Sequence, residues 1–162
     1  MTNSKQKGSS WERTISNKLS ERFKAYTGIE KSFRRNADSG SFFGGSNASR
    51  SSTHDTSKAT YGDIITPCGF KWSIECKAYK TPPSLKAILT QSDAVLDAWI
   101  KQAMQDATQA GLSPVIIIKW NNVPPVALIE DTMPGPASYK GWSFQKLDDW
   151  LNNPNEYFFE GL

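Results

Sequence analysis

At 162 residues the chain is long enough for one domain to bury about two-thirds of its unfolded surface, so neither disulfides nor a structural metal is needed. Cys68, Cys76 and the lone His54 make no zinc pattern, no apolar run nears the roughly 20 residues of a membrane span, and no charged-then-apolar leader is seen. A soluble, cytoplasmic protein with reduced thiols and no membrane partner is expected. Net charge is only +3, but residues 1–35 carry nine Lys/Arg against three Glu, while residues 121–162 carry two bases against six acids. The basic third suits either a polyanion, whose counterions Lys and Arg displace, or a solvated helix face.

Residues 1–8 are polar and read as a flexible N-terminus. From a cap at Ser9 or Ser10 the pattern turns helical to about Tyr26, with Gly28 as the stop. Ile15, Leu19, Phe23 and Tyr26 form one apolar stripe. Extended back a turn, the stripe lands on Glu12, with Trp11 about 100° to the side. A carboxylate in line with core positions leaves two readings. Either the first turn projects beyond the core, where acids suit the helix dipole, or Glu12 borders a polar cavity.

Residues 36–62 form a long Gly/Ser-rich loop without periodicity. Arg34, Arg35, Arg50 and Lys58 flank or dot it, and Phe42 and Phe43 lie within it. It reads as a flexible insertion or as a basic loop that orders on nucleic acid.

"YGDIITP" then predicts a short strand carrying Asp63, with a turn near Pro67–Gly69 leading into "FKWSIECKAYK" as a hairpin. In that second strand Trp72, Ile74 and Cys76 share one face, while Ser73, Glu75, Lys77 and Tyr79 share the other. The first set is the core face. The second sets Glu75 beside Lys77, which an ordinary exposed ion pair would also explain. "KTPPS" breaks the chain, and residues 93–110 read as a helix with Leu96, Trp99, Ile100, Ala103, Ala107 and Ala110 inward, ending at Gly111. "SPVIIIKW" has the unalternated β-branched run of a strand covered on both faces, and "PPVALIE" reads as another strand. "SFQKLDDWL" places Phe144, Leu147, Trp150 and Leu151 at helical spacing. The order α-β-β-α-β-β-α predicts an α/β fold, a single domain over 1–162 with helices on a small mixed sheet and an acidic extension, 121–162, packed on the core.

In this order Glu12, Asp63, Glu75 and Lys77 can converge. Clustered carboxylates repel unless a cation or proton joins them, and hard oxygen ligands suit Mg²⁺ or Mn²⁺. Such an ion can polarise a phosphodiester and activate water, while a protonated lysine orients the water or offsets charge on phosphorus.

"GDI" followed by "IECK", Asp63-x11-Glu75-x-Lys77, resembles the PD-(D/E)xK nuclease signature, with Gly62 where a proline is usual. The wider set of Gly-Ser-Ser-Trp-Glu opening a helix, Arg34/Arg35, "DSGS", "GDI" and "IECK" resembles archaeal-type Holliday-junction resolvases and resolvase-like phage nucleases, over about residues 8–120. The resemblance implies a restriction-endonuclease-like α-β-β-α-β core. It implies metal ligation by Asp63, Glu75 and the Cys76 carbonyl, with Glu12 joining directly or through water, and Lys77 as the catalytic lysine. Ser39 matches a loop serine near the scissile strand, and Gln102 a helix glutamine of related nucleases. The Cys76 thiol is expected to face the core. DNA contacts are expected from Arg34, Arg35, Ser39, Arg50 and Lys58. The implied activity is Mg²⁺-dependent cleavage of four-way or branched DNA by a homodimer, in the host cytoplasm if the gene is a phage's. Alternatives are a nicking, restriction-like or exonucleolytic relative, a silent DNA-binding module of the same fold, or an interaction protein in which Asp63, Glu75 and Lys77 are structural.

Overall fold

A computed structural model describes residues 4–36, 61–133 and 137–161. The chain runs α1 (Ser4–Thr27), β1 (Arg34–Arg35), β2 (Ile64–Ile65), β3 (Trp72–Tyr79), α2 (Leu85–Thr90), α3 (Ala94–Ala110), β4 (Ser113–Trp120), β5 (Val126–Glu130), β6 (Ser138–Tyr139), β7 (Trp142–Lys146), α4 (Leu147–Leu151) and α5 (Asn155–Phe158). Five strands make one mixed sheet in the order β3-β4-β5-β7-β6. β3 and β4 run parallel, joined across α3, and the other pairs are antiparallel. The expected α/β class, a small mixed sheet between helices, is what forms. None of the described helices is long and apolar enough to cross a membrane.

Two cores explain the residue pattern of β4. Val115 and Ile117 face α1 among Trp11, Ile15, Leu19 and Phe23, whereas Ile116 and Ile118 face α3 among Leu96 and Ala103. All four are fully buried, which is why the run lacks alternation. α3 begins at Asp93, whose Oδ1 accepts from the Val95 and Leu96 N–H groups, and ends at Gly111 with φ +65°. This is the helix expected over 93–110.

The opening helix is longer and turned differently from its sequence expectation. It starts at Ser4, because Lys5, Gln6 and Lys7 are good helix formers, so residues 4–8 are helical and Ser9 and Ser10 are not caps. Trp11 belongs to the buried stripe, four residues before Ile15, and its indole N–H donates to the Ile117 carbonyl at 3.2 Å. Tyr26 lies at the stripe's C-terminal end, 39 % exposed, with its ring 4.4 Å from that of Phe159.

Two strand expectations are corrected. β2 does not form a hairpin with β3; it pairs antiparallel with β1, Arg34 opposite Ile65 and Arg35 opposite Ile64. β2 is only two residues long, and Pro67 beyond it has no N–H to extend a ladder. "SFQKLDDWL" is not one helix. Ser143, Phe144 and Gln145 pair with Ile129, Leu128 and Ala127 of β5, and the helix starts only at Leu147. A spacing of three would set Phe144 and Leu147 on one helix face, but the edge of β5 draws Phe144 into a strand, and the two side chains pack in different cores. α2, unforeseen after the prolines, is capped by Ser84, whose Oγ accepts from the Ala87 N–H at 3.1 Å.

The acidic C-terminal part is held by bases of α1. Lys18 donates to Asp148 at 2.5 Å, and Arg22 donates to the Leu151 and Asn153 carbonyls and to Asn155 Oδ1. Part of the N-terminal positive charge is therefore spent inside the molecule.

Phe23 is the hub where α1 meets the chain's end. Its ring, wholly buried, lies 5.6 Å from Phe33, 4.9 Å from Phe158 and 5.2 Å from Phe159. Phe23→Ala is expected to lower unfolding free energy by about 3–5 kcal/mol, read by urea denaturation, whereas Tyr26→Ala costs less than about 1.5 kcal/mol. Equal losses at the two sites would contradict this account of the core.

Candidate active site

β3 is an edge strand, and its free side receives Asp63. The Asp63 N–H donates to the Ile74 carbonyl at 2.9 Å, and the Cys76 N–H donates to Asp63 Oδ2 at 2.8 Å. Residues 74 and 76 thus turn their backbone groups to the open edge, and in an extended strand the Cys76 carbonyl shares that edge with its N–H. Asp63 is further fixed from the other side: the Asn36 N–H donates to its carbonyl at 2.8 Å, and Asn36 Nδ2 donates to the Gly62 carbonyl at 3.0 Å. Gly62 makes the approach feasible. Its φ is +83°, and a Cβ there would stand 2.6 Å from the Ile74 carbonyl oxygen. That glycine holds the place where the signature usually has proline.

Alternation along β3 sends Ile74 and Cys76 to the α1 core and Glu75 and Lys77 toward α3, as the sequence pattern required. Glu75 is buried, only 3 % exposed. Lys77 Nζ donates to Glu75 Oε1 at 2.6 Å and to Gln102 Oε1 on α3 at 2.9 Å. Burial, then the Asp63 charge, pushes the Glu75 carboxyl up to about 8 from its ordinary 4.5; Lys77 opposes this and Asp106 adds to it. Asp106 is the site residue that sequence reasoning missed. It stands one helical turn after Gln102, half-buried, its carboxyl raised by burial and by Asp63 and lowered by Lys77. The i, i+4 spacing from Gln102 was the available signal.

Glu12 stands on the other flank. Arg35 Nε donates to Glu12 Oε2 in a partly buried ion pair, so each is the other's partner. Glu12 reaches the group electrostatically through the Cys76 thiol, which burial first and then Asp63, Glu75 and Glu12 push well above its usual range. That thiol faces the core as expected. Arg34 is exposed, donating to the Lys31 carbonyl at 3.4 Å. Ser39, Arg50 and Lys58, with Phe42, Phe43 and His54, lie outside the described residues.

Among the described residues, no three Asp, Glu, Cys or His side chains are set closely enough to grip a metal by themselves. The oxygen donors at the edge of β3 are the carboxylates of Asp63 and Glu75 and the Cys76 carbonyl. Asp63 Oδ1 takes no hydrogen bond from a described residue. One or two carboxylates with water and substrate phosphate completing the shell is how Mg²⁺ is commonly bound, so the donor chemistry fits a hard divalent ion.

A carboxylate-carbonyl edge with a lysine beside it, on a mixed sheet between helices, matches the pattern of the PD-(D/E)xK signature. The chain belongs to the family described as phage putative PDDEXK endonuclease, which it matches over residues 3–147. The fold is accordingly the restriction-endonuclease-like one, and the match reaches past residue 120 into β5 and β7. No curated protein and no solved structure matches the chain.

The Glu75 shift gives a test of the geometry. In the folded chain without metal, Glu75 keeps a proton that the unfolded chain releases above its ordinary value of 4.5. Stability from this group is therefore lost as pH rises from about 5 through 8. Thermal unfolding in EDTA should show wild type losing stability relative to Glu75→Gln over that range. By pH 8 the gap is of the order of several kcal/mol, at about 1.4 kcal/mol per pKa unit. Parallel curves for the two proteins would contradict the burial of an acid beside Asp63.

Proposed function

We propose that this chain is a Mg²⁺-dependent DNA endonuclease that cuts branched DNA, in the manner of a Holliday-junction resolvase, and acts as a homodimer. The observation that carries the nuclease reading is the set Asp63, Glu75 and Lys77 brought together at one strand edge. The junction reading is supported by the ordered motifs from Trp11-Glu12 to "IECK", which resemble those of archaeal-type resolvases. Paired cuts in a four-way junction call for two sites related by symmetry, hence the dimer.

Asp63, Glu75 and the Cys76 carbonyl would hold Mg²⁺, with Mn²⁺ able to substitute. When bound, the ion supplies charge to polarise the phosphodiester and lowers the pKa of water. Lys77 is steered by two acceptors, Glu75 and Gln102, so its ammonium keeps one position. From there it orients the attacking water or offsets the charge that builds on phosphorus. Gln102 serves as its second anchor, and Asp106 lies close enough to shape the same field. Arg35 neutralises Glu12, which removes a like charge from the approach of phosphate. Among the described residues, Arg34 and the exposed bases of α1 are candidates to meet the DNA backbone, alongside Ser39, Arg50 and Lys58 outside them.

The test is incubation with Mg²⁺ and labelled four-way junction, linear duplex and single strands. Paired nicks in the junction are expected. Lys77→Ala and Glu75→Gln are expected to lower cleavage at least about a hundredfold while leaving junction affinity nearly unchanged. Linear duplex cut as fast as junction would overturn the resolvase reading in favour of a nicking or restriction-like enzyme. Binding without cleavage in Mg²⁺ and Mn²⁺ would overturn the nuclease reading itself.

A further inference from the structure

The seam between β3 and α3 does not end at the Lys77–Gln102 contact. Two residues further along the same face of β3 is Tyr79, and three residues earlier on α3 is Trp99. Their rings meet edge to face, centroids 5.5 Å apart at 81°, and so build a corner with two aromatic walls. Two strand residues span roughly 6.6 Å, so the seam passes from charged to aromatic within about one nucleotide step.

This corner opens on a hollow of about 130 Å³, walled by Tyr79, Pro82, Pro83, Val95, Trp99 and Trp120. A site for a drug-sized ligand is roughly 300–1,000 Å³, so this one admits a single flat ring system and not a folded peptide. Tyr79 is 48 % exposed and Trp99 is half-buried, an unusual amount of open aromatic surface beside a charged centre. Pro82 and Pro83 make a stiff wall that offers no N–H. Three polar residues also border the hollow, Thr81, Ser84 and Asp93, of which Ser84 Oγ caps α2 and Asp93 Oδ1 caps α3. Its walls otherwise present ring faces and apolar edges. Around it, residues 77–93 carry Lys77, Lys80 and Lys86 against one acid, Asp93, whose Oδ1 is taken up in the α3 cap. An aromatic-walled slot beside a stretch of net positive charge suits a flat base attached to a phosphate backbone.

We propose that the hollow beside the Tyr79–Trp99 corner is a nucleobase subsite, holding one unstacked base of the strand whose phosphate lies at Lys77. It rests on the nuclease reading of that site, and adds to it a requirement for an unpaired base next to the cleavage point. A branch point, a frayed end or a single strand supplies such a base at little cost, whereas an intact duplex must be unstacked. Stacking on ring faces tolerates any base sequence.

The test uses a thymine single strand carrying one 2-aminopurine, bound to the full chain in EDTA. Binding is expected to quench the 2-aminopurine at one position of the strand. Trp99→Ala and Tyr79→Ala are each expected to relieve the quenching and weaken binding roughly 5- to 150-fold, with Trp99→Phe retaining most of both. Replacing the reporter base by an abasic sugar should produce the same loss in wild type and little further loss in Trp99→Ala. Unchanged quenching and affinity in both alanine variants would overturn the proposal. So would a change of oligomeric mass in Trp99→Ala with DNA affinity intact, which would make the corner a contact between copies. Base-dependent binding by a chain that cleaves nothing leaves the subsite standing and overturns the nuclease reading alone. Wild-type cleavage and affinity in the Trp99 and Tyr79 variants overturn the subsite alone.

Discussion

Two hydrogen bonds join Asp63 to the open edge of β3, one through its backbone and one through its carboxylate. They satisfy edge groups that would otherwise face water or a foreign strand, and they set an acid beside Glu75. Everything else at the site follows from that attachment. Glu75 is buried next to a like charge, so it holds a proton or a cation; Lys77 is then drawn to it and tied back to Gln102. Gly62 belongs to the same constraint, because a side chain there would strike the Ile74 carbonyl and push Asp63 off the strand.

The sheet places this edge where it can work. β4 is buried on both faces and carries β3 as a parallel neighbour, so β3 is rigid on one side and free on the other. α1 covers the Cys76 face and α3 the Glu75 face. The candidate site groups thus come from four segments, α1, the stretch before β2, β3 and α3. Trp11 ties α1 to β4, and the Asp93 and Tyr139 hydrogen bonds tie the start of α3 to β6. The acidic C-terminal segment completes the α1 face by pairing with Lys18 and Arg22, which leaves the first helix fewer free bases than its composition suggested.

Where one physical signal dominated, the sequence was readable. The alternation of "WSIECKAY" set Glu75 and Lys77 on one face, the β-branched run of β4 marked a doubly covered strand, and Asp93 and Gly111 bounded α3. Contacts between distant segments were not readable. Nothing local told that β2 would choose β1 over β3, or that the edge of β5 would draw Phe144 out of a helical pattern. The Glu12–Arg35 pair joins residues 23 apart, and only the packed fold shows that the acid faces a guanidinium. Asp106 lies off the apolar stripe of α3, on the side facing Lys77, where no local pattern distinguishes it from a solvated acid.

Asp63 and Glu75, with the Cys76 carbonyl, are proposed to form one divalent-cation site. Mn²⁺ titration of the full chain, followed by electron paramagnetic resonance without DNA, tests it most directly. Wild type should bind the ion, and Asp63→Asn and Glu75→Gln should each weaken binding at least about tenfold, since each removes a charged ligand. Equal Mn²⁺ binding by wild type and both variants, all folded by circular dichroism, would contradict it.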